Sequence, residues 1–204
     1  MRTVIFGSGG FGREVSDVLR AALAEGLELL FASDDGAGSM LDIPILPSDQ
    51  LGQGDTVIIA IGDGETRRSI EERLLAQGCE IGSAVARTAI VSPYATIGTG
   101  AVISDHVLIN AATRIGRQFQ CNIYAYVAHD CTIGDFVTFA PKVCCNGNVT
   151  IGDNAYIGTG AMLRQGISIG AGAVIGMGAV VVKDVPAGVT VAGNPAQPLV
   201  RKTA

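Results

Sequence analysis

The sequence predicts a small α/β unit over residues 1–84 followed by a parallel β-helix over residues 85–204, and three observations carry that reading. Short apolar strands alternate with helical patterns in the first part, which implies a parallel sheet. A glycine-rich loop, GSGGFG, joins the first strand to the first helix. From Val91 onward apolar side chains recur every six residues. Neither a helix nor one long strand supports that beat, whereas a coil of short parallel strands does.

In chain order, TVIF (Thr3 to Phe6) reads as a buried strand, and Glu14 to Leu23 as a helix with Val15, Val18, Leu19, Ala22 and Leu23 on one face. LELLFA is a second strand, ending at the acidic loop SDDGAG, and TVIIAIG (Thr56 to Gly62) is a third. Thr66 to Gln77 forms a second helix, stopped by Gly78. This part is Rossmann-like in its first turn, but about 84 residues cannot hold two mononucleotide halves.

Every sixth residue from Val91 to Val181 gives sixteen positions, all apolar. Four places further on stand mostly small residues, Ala95 to Val185, of which only Thr113 is polar. The large residue fills the prism, the small one sits beside it, and the frequent second-place glycine permits the corner. Three hexads close one triangular coil, so this stretch makes a little over five coils.

A formal charge of −5 argues against nucleic acid and against an anionic membrane surface. No apolar run approaches the roughly 20 residues of a membrane span. The start, MRTVIFGSGG, has no signal-peptide pattern, so a cytoplasmic protein is expected. Five cysteines without a CxxC pair read as buried apolar residues rather than disulfides.

The chain holds two histidines, and His129 stands in VAHDCTIGDF at the third place of its hexad, with Asp130 at the fourth. Both are outward places. With eighteen residues per coil, His129 stacks between Ala111 and Gly147. His106, with Asp105 before it, begins a line through Tyr124 and Lys142 that reads as a surface ladder.

GSGGFG, SDDG, AIGDGETRRSI, AHDCTIGDF and the closing VAGNPAQPLVRK together resemble one branch of the hexapeptide-repeat acyltransferases. These are the bacterial nucleotide-sugar N-acetyltransferases of the bacillosamine, perosamine and viosamine type, with their sialic acid O-acetyltransferase relatives. The resemblance implies a left-handed β-helix, a homotrimer with active sites between neighbours, and acetyl-CoA as donor. It makes His129 the general base, a role typically worth about 10²–10⁴ in rate, and Asp130 its carboxylate partner. A carboxylate beside an imidazole favours the protonated ring, the sign that a base requires. It makes the Gly147 amide the donor to the tetrahedral oxyanion, although a corner glycine is an equal reading.

On the sugar-nucleotide side the resemblance implies Gly9, Gly10 and Phe11 beside the ligand, Asp34 and Asp35 at its nucleoside end, and Gly62 nearby. Many relatives carry His where Phe11 stands. On the acetyl-CoA side the matching positions are Gly147, Thr138, Thr159 and Met177. Arg201 and Lys202 could approach CoA phosphates, or belong to a solvated tail.

The expected reaction is acetyl transfer to the amine, at C4, of a nucleotide-linked amino sugar. O-acetylation of sialic acid or another sugar is the alternative. A zinc β-helix needs three histidine ligands per metal, and two histidines supply them poorly, so no metal is expected. A non-catalytic sugar-nucleotide sensor and a nicotinamide enzyme are further classes. The first predicts binding without thiol release, and the second lacks a hydride-transfer site in the hexad part.

Overall fold

The computed structural model describes residues 2–22 and 28–199, the side chain of Ala22 excepted. Leu23 of the first helical face, and Arg201 and Lys202, lie outside the described residues.

The first unit comprises β1 (Arg2–Phe6), α1 (Gly10–Ala22), β2 (Leu29–Ser33), β3 (Ser39–Met40), β4 (Ile43–Pro47), β5 (Asp55–Ile59), α2 (Gly64–Ala76) and β6 (Glu80–Ile81). Its sheet order is β3-β4-β2-β1-β5-β6, parallel except for the β3–β4 hairpin. That hairpin turns at Leu41 and Asp42, both in the left-handed region, the backbone that a tight hairpin turn favours. The sequence reading missed β3, β4 and β6. Pro44 and Pro47 in β4 mask a strand signal. Ile5, Phe31 and Ile58 pack on one face of the sheet with Val15, Val18 and Leu19 of α1, while Val4, Val57 and Ile59 pack on the other with Ile70 and Leu74 of α2.

The second unit is a triangular prism of two-residue strands. Strands pair in parallel with a step of eighteen residues, as Val102 with Gln120 and Ile133 with Ile151. The first face starts at Ala84–Val85 and rises to Thr190–Ala192. The second runs from Ile90–Val91 to Val180–Val181, and the third from Thr96–Ile97 to Ser168–Ile169. Inside, Ile103, Phe139, Ile157 and Leu163 are fully buried, as the six-residue beat requires, and so is Phe119 at one of the mostly small places.

The corners differ from expectation. The left-handed residue of each corner is at the fourth hexad place, not the second: His106, Ala112, Gln118, Tyr124, Asp130, Phe136 and onward to Gly178. Second-place glycines answer another constraint. A Cβ at Gly98 would lie 2.6 Å from Arg117 N, and one at Gly152 would lie 2.5 Å from Ala171 N. They allow the next coil to approach, which is a steric rather than a conformational requirement.

The first unit covers the lower coils of the first face, where Ala84, Val102, Gln120 and Thr138 are buried, and leaves Tyr156 and Val174 exposed above them. Ala84, Ala86 and Val102 join the core beneath α1. The α2 side is held by polar contacts to the corner between the third and first faces. Arg67, fully buried, donates to the carbonyls of Ile61 at 2.7 Å and Phe136 at 2.8 Å. Buried Glu71 accepts from Arg117 and, at 2.8 Å, from Gln118. Arg68 and Arg117 stack on Phe136, 4.2 and 4.7 Å from the ring centre. The remaining faces contrast. Outward residues on the second are Ile90, Leu108, Tyr126, Cys144, Met162 and Val180, all apolar; on the third they are Thr96, Arg114, Thr132, Thr150 and Ser168. Among the described residues no helix is long and apolar enough to cross a membrane.

Candidate active site

His129 and Asp130 form the turn between strands Tyr126–Val127 and Thr132–Ile133, at the corner where the second and third faces meet. Asp130 has φ 58°, a conformation that Asp tolerates better than most side chains. Its Oδ2 lies 2.8 Å from His129 Nδ1. When Nδ1–H donates to that carboxylate, Nε2 presents its lone pair away from it. Both side chains are slightly more than half exposed, so the pair is open to a reactant.

The stacking neighbours are those the spacing predicts. Asp130 N–H donates to Ala111 O at 3.2 Å, and Asn148 N–H donates to His129 O at 3.0 Å. Gly147 lies directly against the ring, since a Cβ there would sit 2.6 Å from His129 Cε1 and 2.8 Å from Nε2. Its φ is outside the left-handed region, so the corner reading does not explain this glycine. Contact with the imidazole does. Among the described residues the Gly147 N–H donates to no backbone carbonyl.

The residues expected on the sugar side gather at one end of the first sheet. Gly9, Gly10 and Phe11 follow β1, Asp34 and Asp35 follow β2, and Gly62 follows β5. These are the carboxyl ends of adjacent parallel strands, where open α/β sheets bind ligands. Gly7 and Gly12 are required sterically, for a Cβ on Gly12 would lie 2.0 Å from Gly7 O. Gly9 and Gly10 are not, for a Cβ on either meets nothing within 4 Å.

Phe11 and Gly62 open onto a cleft of about 340 Å³, whose other wall is the first face with Gln120 and Thr138 and the adjoining corner with Asn122 and Thr159. Asp34 lies in a separate hollow of about 330 Å³ with Thr66, Ser69 and Arg73. The Ser48 hydroxyl, 2.7 Å away, and Arg73, also 2.7 Å away, hold the Asp34 carboxyl below the usual range.

Thr138 is tied into the junction between the units. Its hydroxyl donates to Gly62 O at 2.9 Å and accepts from Arg67 at 3.1 Å, which leaves it no proton for a ligand. Thr159 and Met177 stand one coil apart at the corner between the first and second faces, and Met177 is largely exposed. The chain therefore brings Phe11, Gly62, Thr138 and Thr159 together, and separately His129, Asp130 and Gly147. The two groups occupy different corners of the prism.

Arg67 escaped the sequence reading. Burial lowers its pKa to about 10, against the charges of Asp63 and Glu71, so it stays cationic at neutral pH. Its signal was position: it precedes Ile70 by three and Leu74 by seven, a charge inside an apolar helical stripe. Gln120 and Asn122 carried no such signal.

Residues 2–74 match the PglD N-terminal domain, and residues 148–183 match the bacterial transferase hexapeptide repeats. The chain is 43% identical to a GDP-perosamine N-acetyltransferase of Escherichia coli O157:H7, over 97% of this chain and 96% of that one. It is similar to the acetyltransferase domain of PglB from Neisseria gonorrhoeae FA1090 in complex with acetyl coenzyme A, at 35% identity and TM-score 0.91, covering 97% of this chain and 98% of that one. It also resembles PerB from Caulobacter crescentus in complex with CoA and GDP-perosamine, at 31% identity and TM-score 0.90, covering 98% of each chain.

Proposed function

We propose that this chain, which belongs to the family of hexapeptide-repeat transferases with a PglD N-terminal domain, is an acetyl-CoA-dependent N-acetyltransferase. Its acceptor is the amino group, at C4, of a nucleotide-linked sugar, with a GDP-linked 4-amino sugar as the first candidate. The observation that carries the reading is the His129–Asp130 pair at 2.8 Å, packed on Gly147, on the left-handed β-helix of that family. Residues 1–84 form the sugar-nucleotide unit and residues 85–204 the acetyl-CoA unit.

The reaction is direct. The sugar amine attacks the thioester carbonyl while His129 Nε2 takes its proton. The Gly147 N–H meets the oxyanion of the tetrahedral intermediate. Collapse breaks the C–S bond, and the imidazolium returns the proton to the departing thiolate. Gly9 and Gly10 leave room for the nucleotide's phosphates at the α1 N-terminus. Phe11 and Gly62 border the sugar, and Asp34 and Asp35 face the nucleoside. Thr159 and Met177 border CoA, and Thr138 contributes through the position of its backbone.

The working enzyme is a homotrimer whose sites lie between neighbouring chains. The first unit packs on the first face and reaches the two corners that flank it, whereas His129 is at the third corner. A sugar in the cleft of one chain therefore meets His129 of a neighbour. The apolar outward row on the second face, beside that corner, suits burial against a second copy. Both substrates belong to cytoplasmic metabolism, and we place the enzyme there, supplying an activated N-acetylated sugar for surface glycan assembly.

The test is release of CoA thiol from acetyl-CoA with GDP-, UDP- and dTDP-linked 4-amino sugars, alongside His129→Ala. Turnover on an amine, lost in the variant, supports the proposal. Turnover on hydroxyl acceptors alone would replace it with O-acetylation. Mixed trimers of His129→Ala and a sugar-cleft variant should regain part of the activity that each homotrimer lacks.

A further inference from the structure

Thr113 is the one polar residue among the small inward positions of the hexads, and nothing in the reaction above uses it. It is buried, as is Cys131 one coil above it. Thr113 Oγ1 donates to Ala128 O at 2.9 Å, and Cys131 Sγ donates to Asn146 O at 3.2 Å. In each case the donor stands fifteen residues before the acceptor, so this is one device repeated on consecutive coils.

What distinguishes the two carbonyls in the repeat is a side-chain donor from inside the prism. At some corners the equivalent oxygen accepts a backbone N–H three residues on, as Asn122 O does from Ala125 at 3.2 Å and Gly158 O from Ala161 at 3.0 Å, whereas at others, such as Ser104, Gly116 and Gly134, no backbone N–H among the described residues reaches it. Among the described residues no backbone N–H donates to Ala128 O or Asn146 O. The side chains of Thr113 and Cys131 take that place. Cys131 Sγ is also 3.6 Å from His129 O, and Cys145 Sγ is 3.8 Å from Asn146 O. The coils on either side carry Ala95 and Val149 at this place, neither able to donate.

Ala128 O belongs to the peptide unit whose N–H is that of His129, and Asn146 O to the unit whose N–H is that of Gly147. We propose that Thr113 and Cys131 are positioning residues that set these two peptide planes from inside the prism. Thr113 fixes the backbone from which the imidazole projects. Cys131 fixes the direction of the Gly147 N–H and strengthens it as a donor, because a hydrogen bond to an amide carbonyl polarises the whole unit. The assignment rests on the reading of His129 and Gly147 given above, and it extends that site to two buried side chains that touch neither substrate.

The experiment compares Thr113→Val and Thr113→Ser, and Cys131→Ala and Cys131→Ser. Steady-state kinetics, thermal unfolding and the backbone amide resonances of His129 and Gly147 are measured for each. Thr113→Val and Cys131→Ala should lower kcat by about ten- to a hundredfold, the scale of a small misplacement of reacting groups, with KM for both substrates unchanged. The serine variants keep a donor and should recover most of kcat. Wild-type kcat in both donor-free variants, whatever the change in melting temperature, would reduce the two residues to packing. If no amino sugar is turned over even by wild type, the proposed function fails and the resonances decide this point separately. A shift of the His129 amide in Thr113→Val and of the Gly147 amide in Cys131→Ala, reversed by serine, sustains the positioning role. Unmoved resonances would end it.

Discussion

Replacing Gly147 by alanine adds one methyl group at the point where the coils of His129 and Gly147 touch. The backbone there is not left-handed, so alanine can adopt it without conformational strain. The new Cβ would lie 2.6 Å from Cε1, 2.8 Å from Nε2 and 3.1 Å from Nδ1 of His129, whereas ordinary contact begins near 3.4 Å. The ring must therefore retreat by about 0.8 Å, stretching its 2.8 Å bond to Asp130. Because the imidazole is more than half exposed, it can yield at little cost to folding. Gly-to-Ala changes at compatible sites stabilise by about 0.4–1 kcal/mol through the unfolded chain. A misplacement on the order of 1 Å costs about 10²-fold in rate. Gly147→Ala should thus lose about two orders of magnitude in kcat while its melting temperature holds or rises. The assay is thiol release under saturating acetyl-CoA, with thermal unfolding followed by circular dichroism. Wild-type kcat at an unchanged melting temperature would show that the ring does not work from its place against Gly147. A large loss of stability would show that the glycine serves the coil instead.

Three further outcomes are expected. His129→Ala should lower kcat by about 10²–10⁴, the range of general-base assistance, with unfolding unchanged; stopped-flow measurement of a single turnover checks that chemistry is the affected step. Asp63 caps α2 through Thr66 N–H at 2.8 Å and the Thr66 hydroxyl at 2.6 Å, and these bonds hold its carboxyl below the usual range. Asp63→Ala should cost about 1 kcal/mol near neutral pH. Since the folded-state pKa is depressed, that contribution is present above the ordinary value of 3.8 and disappears as pH falls through the folded value. Urea titrations at pH 7 and pH 3 should show the gap between wild type and variant closing at the lower pH. Arg67→Ala strips a charged donor from the carbonyls of Ile61 and Phe136, so destabilisation on the order of 3 kcal/mol is expected. Limited proteolysis should then cut the first unit away from the coil; an intact, equally stable variant would contradict the junction described here.

The prism was legible because its rule is local. Ile103, Cys121, Phe139 and Ile157 each face inward for the same reason, and one missing residue would have broken the beat. Corners were legible in spacing but not in mechanism. Glycine at 98, 116 and 134 catches the eye, yet it is His106, Tyr124, Asp130 and Phe136 that take the left-handed backbone. What disfavours these residues is a cost of only about 1–2 kcal/mol, which the stacked coils override. The His129–Asp130 pair stood out by scarcity. Its bond did not, since neighbouring side chains meet only when the backbone turns as it does at Asp130. The junction between the units could not be read at all. Arg67 and Phe136 are 69 residues apart, and no short-range pattern records their contact. Thr113 was visible as an exception inside the prism, but its purpose needed the carbonyl fifteen residues away.

Because the coil advances by a third of a revolution per hexad, the hexads between Ala84 and His129 act as a phase. Removing a single one from that interval would carry the imidazole back by one edge, from the far corner to the corner of Asn122 and Thr159 that borders the chain's own cleft. Adding or removing three would change the height of the imidazole and leave its edge unchanged. Under the proposed function, chain length upstream of the histidine therefore encodes whether a chain would serve its own sugar or only another's. In this sequence the phase points away from its own unit, as the proposed sharing of the site between neighbours requires.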